Sequence, residues 1–542
     1  MRRFHGVVRV SARGWYDVSM AAARSMADVV STEPIIGLEV HVELATRGKM
    51  FTRASNPAHP EFHDSGPNTL TDAVVLALPG TLPVMNRAAV EMAALVGLAL
   101  GCTIAPLSRW DRKSYFYPDL PKGYQISQYD LPLCFDGVFE LPATDAQGRI
   151  DPAGATRRIG IIRAHLEEDA GKLLHEAPGG GAIDFSIVDL NRAGTPLLEI
   201  VTAPDFRSAD EATAFARLLR QTCRFLGVTE GVMQRGHVRF EPNVNCRLTL
   251  RDGRVVHTPI VEVKNLNSFR ALHGAISHEL TEQPRRWVAD GREHGPGEKT
   301  TRGWDADRGA TYVQREKEDA EDYRYFPDPD LPPVAMGEAW VERLRASLPE
   351  LPVARVRRYC EGYDLSPAEA SQLVEEREVC EFLDAAADGA VERGVARERA
   401  GRLAAGFVLQ HGARLANERS TLVSRLGVSA EQLAAIVAMR DAGDLGSTAA
   451  DELLALLCEP AHAGADPRVV AESRGLITVR DDAALDAWCE RAIAENPRAA
   501  EDVRSGKQAA IGRLVGAVMK ASGGAADANA ARERLIEKLS NG

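Results

Sequence analysis

The sequence predicts an α+β fold that gives way to all-helical domains, and three observations carry that reading. Between Ile35 and about Val263 short runs alternate apolar and polar residues with period two, as half-buried strands do, and helical stretches such as Arg87 to Leu100 and Ala209 to Leu226 separate them. Beyond Ala335 the pattern changes to Ala, Leu, Glu and Arg at helical spacing, from Glu338 through Leu426 and again from Ala430 to the C-terminal end. A chain of 542 residues, 45% of them hydrophobic, holds about three domains at roughly 100–200 residues each.

Taken in order, residues 1–32 are set apart as an N-terminal extension, with Arg2, Arg3, Arg9, Arg13 and Arg24 against only Asp17 and Asp28, and the first patterned strand begins near Pro34. The extension reads as an organellar transit peptide, a disordered tail, or an over-extended start with initiation at Met20 or Met26; the last is preferred because it needs no extra biology. Residues 33–337 form the expected catalytic domain, within which Pro284 to Ala310 reads as an exposed loop and Tyr323 to Pro333 as an extended, proline-stiffened segment. Residues 338–427 and 428–542 form a helical domain and a tail domain, with breaks at Gly443–Thr448 and Pro460–Pro467 and no internal repeat.

Composition removes several function classes. No apolar run reaches the ~18 residues of a membrane span, so a membrane protein is not expected. A net charge of -12 argues against a generally basic nucleic-acid binder, although screening over about 8–10 Å lets a local basic patch act on its own. The eight cysteines are scattered without a C-x-x-C pair, which predicts reduced core thiols in a cytosolic protein and no zinc ribbon.

Four runs concentrate carboxylates on strand faces. In Ile35–Leu44, Leu38, Val40, Val42 and Leu44 face a core while Glu39, His41 and Glu43 share the other face. His237–Asn245 places His237, Arg239, Glu241, Asn243 and Asn245 together, Glu262 and Lys264 repeat the pattern, and Arg158–Asp169 ends in His165, Glu167, Glu168 and Asp169. Grouped carboxylates repel and raise one another's pKa unless a cation neutralises them, and hard oxygen ligands with one histidine suit Mg²⁺ or Mn²⁺. Structural salt bridges are the competing reading. The aromatic run Asp111–Tyr129 carries Arg112, Lys113 and Lys122, which can hold phosphates, or it is a loop whose aromatics fill a core. Asn191–Val201 and Glu262–Phe269, the latter with Lys264 and Asn265, can orient ribose or carbonyl oxygens, or are polar strand ends.

The runs IGLEVHVEL, PGTLPVMN, DRKSYFYPDLPKGYQISQYD, HLEEDAGK, DLNRAGTPLLEIVTAPD, EVKNLNSF and DYRYFPDPDLPP, in this order, resemble the B subunit family of aspartyl/glutamyl-tRNA(Asn/Gln) amidotransferases. A further match lies at Ile511–Lys520, and the resemblance covers about residues 33–542. It implies a cradle domain resembling the catalytic fold of glutamine synthetase, with an antiparallel sheet, then an all-α helical domain and an all-α tail domain that contacts tRNA. It also implies a cytoplasmic ligase of protein biosynthesis, or one of an organellar matrix if the extension is a transit peptide. The implied chemistry uses ATP to phosphorylate the side-chain carboxylate of misacylated Glu-tRNA(Gln) or Asp-tRNA(Asn), after which ammonia displaces phosphate.

On that resemblance Glu39, His41, Glu167 and Glu168 are the expected catalytic and metal-binding residues, with Glu241 as a further Mg²⁺ ligand. Arg112, Lys113, Lys122, Lys264 and Asn265 are the expected contacts to ATP. The chain carries no Ser-Ser-Lys amidase pattern, so ammonia is expected from a partner resembling the amidase A subunit, with the small C subunit bridging the two in a heterotrimer. Two departures from the family stand out. Arg239-Phe-Glu-Pro-Asn-Val-Asn245 replaces an Arg-Cys-Asp-x-Asn-x-Ser run, and Ser522-Gly-Gly-Ala-Ala-Asp-Ala528 replaces a Lys-Gly-x-Ala-Asn-Pro-like run in the tail. A metal-dependent hydrolase or independent ligase, and a non-catalytic RNA-binding scaffold, are the alternatives.

Overall fold

The computed structural model describes residues 24–540 apart from 146, 177–179, 317–322, 479–481, 506, 524–525 and 527. Most of the N-terminal extension and part of the altered tail run therefore lie outside the described residues. The chain packs as two units: one holds the described residues up to Val40 with Val201–Thr213 and Arg239–Arg324, the other His41–Ile200, Ala214–Val238 and the residues from Tyr325 onward.

The strands, in chain order, are β1 (Val29–Glu43), β2 (Thr103–Ile104), β3 (Leu107–Ser108), β4 (Asp111–Ser114), β5 (Tyr124–Ser127), β6 (Cys134–Pro142), β7 (Thr156–Glu168), β8 (Lys172–Glu176) and β9 (Ala182–Asp189). They continue with β10 (Pro196–Thr202), β11 (Val238–Leu250), β12 (Val255–His257), β13 (Val261–Lys264), β14 (Thr300–Asp305), β15 (Ala310–Glu316), β16 (Phe326–Pro327) and β17 (Val334–Ala335). Three helices accompany them: α1 (Arg87–Ala99), α2 (Ala209–Phe225) and α3 (Phe269–Asp290).

In the first unit the sheet order is β15-β14-β13-β11-β1, with β12 added to β11. The expected antiparallel sheet is found at β11–β13 and β14–β15, whereas β13 and β14 run parallel. The reason is α3, which lies between them in sequence and carries the chain back to the starting edge, as a parallel neighbour requires. Pro284 sits inside this helix and is buried, next to buried Gln283 and close to buried Trp287. The exposed loop expected over 284–310 is thus replaced by the end of α3, a short connection and β14. Packing on the sheet outweighs the local signal of Pro and Gly: Trp287 joins Cys246, Leu248, Leu250 and Val256 in one apolar cluster.

Val29 packs against that same cluster. This is why β1 starts at Val29, not near Pro34, after a turn at Met26–Asp28 in which Ser25 and Asp28 cap each other. The expected extension is therefore partly structured over residues 26–32.

In the second unit the last residues of β1 are followed across the sheet by β10, β7, β6 and β2. α1 lies on β6, an approach allowed by Gly97, where a Cβ would overlap Cys134 Sγ. A small sheet, β16-β4-β5, joins the proline-stiffened segment to the aromatic run, pairing Phe326 with Arg112. Beyond Ala335 the regular elements are helices, from Glu338–Ala346 to Ala528–Ser540, and the final ones enclose their own core around Cys489, Leu514, Val518 and Leu535.

Candidate active site

Three adjacent strands of the second unit bring one side chain each to a common point. His41 comes from the end of β1, Glu199 from β10 and Glu167 from β7, and their ligand atoms all lie within 4.8 Å of one another. Period two explains the placement: Val40 and Val42 are fully buried on the other face, as are Leu166 beside Glu167 and Leu198 and Ile200 beside Glu199. His41 Nε2 is 3.5 Å from Glu199 Oε2 and 3.9 Å from Glu167 Oε1, and His165 Nε2 is 3.6 Å from Glu199 Oε2.

The electrostatics of this cluster are uneven. Burial, then Glu199, pushes the Glu167 carboxyl up to about 7, against the pull of Lys113 and His41. Burial also opposes the charge on Glu199, but His165 and then His41 hold it below the ordinary carboxylate range. His165 is driven down to about 4 by burial, so it is a neutral imidazole at pH 7. Two buried carboxylates and an imidazole at this spacing are a donor set for a hard divalent cation, which would relieve their repulsion.

Glu168 does not join this set. Its side chain leaves the strand on the opposite face, where it pairs with Lys122 and accepts the Ile126 N–H at 3.0 Å. Lys122 is therefore committed to a carboxylate. Arg112 is too: its Nε and Nη2 donate to Asp328 and Asp330 at 2.7 and 2.8 Å, and its guanidinium covers the Tyr124 ring at 4.3 Å. It clamps the proline-stiffened segment to β4. Lys113, next along β4, acts electrostatically on Glu167, Glu199 and His165.

The first unit holds a second acidic set. Glu39, Glu241 and Glu262 have ligand oxygens within 4.8 Å of one another. Here the neutralising cations are side chains: Lys264 Nζ lies 2.9 Å from Glu262, and Lys299 Nζ lies 3.1 Å from Glu262 and 3.9 Å from Glu39. Lys264 also pairs with Glu241, and Asn243 donates to Glu39 at 2.9 Å. Burial would lower Lys264, but Glu241 and Glu262 hold it charged, above its ordinary value. Asn265 follows at the turn into α3, exposed and at φ +64°.

Glu199, Glu262 and Lys299 were not among the expected site residues. Glu199 stands alone between Leu198 and Ile200, and a single carboxylate in an apolar strand was the available signal. Lys299 lies in the stretch that reads as a loop.

Comparison with known proteins completes the picture. Residues 34–342 match the family described as the GatB/GatE catalytic domain, and residues 390–539 match the GatB domain. The chain is 46% identical over 507 residues to the aspartyl/glutamyl-tRNA(Asn/Gln) amidotransferase B subunit of Thermomicrobium roseum, covering 94% of this chain and 98% of that one. The corresponding B subunits of Rhodopirellula baltica and Moorella thermoacetica are 41% and 42% identical, covering 93% and 94% of this chain and 96% and 99% of theirs. The chain belongs to the B subunit family of aspartyl/glutamyl-tRNA(Asn/Gln) amidotransferases.

Proposed function

We propose that this chain is the B subunit of a multi-component amidotransferase that converts misacylated Glu-tRNA(Gln), Asp-tRNA(Asn) or both to Gln-tRNA(Gln) and Asn-tRNA(Asn). The observation that carries the reading is the set of buried Glu167 with partly buried His41 and Glu199 at the meeting of β1, β7 and β10. A carboxylate is a poor electrophile, so its conversion to an amide needs activation. In the proposed sequence a side-chain oxygen of the misacylated residue attacks the γ-phosphorus of ATP and ADP departs. Ammonia then attacks the carbonyl carbon, the C–O bond to phosphate breaks, and the nitrogen gives up one proton.

His41, Glu167 and Glu199 would hold Mg²⁺, whose contribution is to offset the charge of the phosphate oxygens. We assign the ion to this set because Glu168, Glu39 and Glu241 already hold lysines. Lys113 is directed at the same cluster and supplies a fixed positive charge for a transferring phosphoryl group. His165, buried and neutral, orients Glu199. An acyl phosphate is lost to water if exposed, so delivery of ammonia by an amidase partner, the A subunit, held through the small C subunit, fits the chemistry. The helical and tail regions, 338–427 and 428–542, are the proposed tRNA-facing part, in a cytoplasmic assembly.

The test is amide formation on Glu-tRNA(Gln) from glutamine and ATP by the complete complex, comparing wild type with His41→Asn and Glu199→Gln. Loss of at least ~100-fold in turnover with the assembly intact supports the reading. Full activity in both variants refutes it.

A further inference from the structure

A third group of ligand side chains stands in the second unit, away from the acidic sets described above. His63, Glu230 and His237 each bring one donor atom to within 4.8 Å of the others. His63 Nε2 is 3.4 Å from Glu230 Oε2, close to the edge of about 3.3 Å that two ligands span around a tetrahedral ion at ~2.0–2.1 Å. The rings of His63 and His237 lie 5.1 Å apart at 45°, tilted and not stacked. His63 is far from Glu230 and His237 in sequence and the three belong to no short motif, which is why the alternation that puts His237 beside Glu241 gives no hint of the group.

We propose that His63, Glu230 and His237 form a metal site for a borderline divalent cation of the Zn²⁺ type, with a fourth position open to water. Two imidazoles and one carboxylate are a donor set that suits Zn²⁺ and other late divalent ions better than Mg²⁺, which prefers oxygen. An ion pair between His63 and Glu230 accounts for part of the geometry, but not for His237. That residue is only 3% exposed and its Nδ1 is buried without a hydrogen-bond partner, which is costly for a polar atom left unsatisfied. Glu230 is 41% exposed, which leaves the open side of the site facing solvent.

The surroundings are rigid enough to preset the ligands. His63 follows the one-turn helix Pro60–Phe62, and its Nε2, the atom that faces Glu230, also lies 3.3 Å from the Ala58 carbonyl, a contact that an ion would replace. Arg235 pairs with Asp64 at 3.1 Å, which ties the two ligand-bearing segments together beside the site. His237 is anchored through its backbone, its N–H donating to Val232 and its carbonyl accepting from Glu43. An ion here would cross-link the 59–64 turn to the 228–237 segment.

The test uses the full chain, stripped with a chelator and dialysed against Zn²⁺ at about pH 7.5, with bound metal measured by mass spectrometry and the Co²⁺ form by visible absorption. Wild type is expected to bind one more equivalent than His63→Asn/His237→Asn and to show the intense bands of tetrahedral Co²⁺, which the double variant loses. His41→Asn/Glu199→Gln is expected to keep those bands, which separates this site from the proposed catalytic one. Glu230→Gln, at a half-exposed position, is expected to weaken Zn²⁺ at least ~10-fold. Equal stoichiometry and equal affinity in wild type and Glu230→Gln overturn the proposal, whether or not the histidine variant folds.

Discussion

Lys49 is fully buried, at 0% exposure, and its Nζ donates to the Leu190 carbonyl at 3.3 Å. Burial pulls its pKa from 10.5 down to about 7, while Asp72, Asp189 and Glu168 oppose the fall. An unfolded chain keeps this lysine protonated to near 10.5, whereas the folded chain releases the proton near 7. Between those values the unfolded state binds more protons, so stability must rise with pH across the window. Below about 7 the penalty of burying the charge is present in full, and above 10.5 it is gone. At about 1.36 kcal/mol per pH unit the whole window is worth about 5 kcal/mol.

The perturbation is Lys49→Met, which keeps the stem and removes the charge. Its stability relative to wild type should be highest near about pH 6.5 and fall by several kcal/mol towards about pH 10. Loss of the bond to Leu190 adds a term that does not change with pH. The assay is urea unfolding in metal-free buffer, read by tryptophan emission; buried Trp110 meets Phe51, a near neighbour of Lys49 in the chain, edge-on at 5.3 Å. Wild-type and variant profiles that run parallel from about pH 6.5 to 10, within about 1 kcal/mol, would show that Lys49 titrates normally and refute the argument.

Three further outcomes follow from named contacts. Glu279 is fully buried and pairs with Arg286 and Arg302 while accepting from Thr311, so Glu279→Leu should cost about 3–5 kcal/mol by leaving those cations unpaired, measurable by chemical denaturation. Asp384 accepts from Arg355 at 2.9 Å and from Arg358 at 2.8 Å, and Asp384→Asn should lower the stability of the helical region by about 1.5–3 kcal/mol, read by circular dichroism on heating. Gly101 sits at φ +69° with Val138 O 2.9 Å from where a Cβ would stand, so Gly101→Ala should cost about 1–3 kcal/mol, and an unchanged midpoint would contradict the crowding.

The strand faces are legible in the sequence because burial alternates with period two. Leu38, Val40 and Val42 are inside as that alternation predicts, and the same rule separates Glu167 from Glu168. Which strands become neighbours is not legible, because the pattern of one strand says nothing of its partner. That is why Glu199 and Lys299 escape a sequence reading, and why His237 groups there with Glu241. Pro284 reads as a loop signal because the gain from packing Trp287 and Gln283 is tertiary. Arg112 reads as a phosphate contact because a sequence shows a cation without showing that Asp328 and Asp330 already hold it.

The two acidic sets differ in what neutralises them, and that difference makes a prediction. In the first unit Lys264 reaches both Glu241 and Glu262 and Lys299 reaches Glu262 and Glu39, fixed cations that leave no demand for an ion. In the second the groups facing Glu199 are the imidazoles of His41 and His165, the latter neutral, and Lys113 acts electrostatically on both carboxylates. Removing Lys264 should move the first kind of set towards the second. Lys264→Met leaves Glu241 without its lysine beside Glu262, which Lys299 still holds, and should destabilise the protein by about 1–3 kcal/mol without metal. Millimolar Mn²⁺ should then restore more thermal stability to Lys264→Met than it adds to wild type, because only the variant gains a site. An equal rise in both proteins would mean that the carboxylates, once freed, move apart instead of sharing an ion, and that strand spacing alone does not make a metal site.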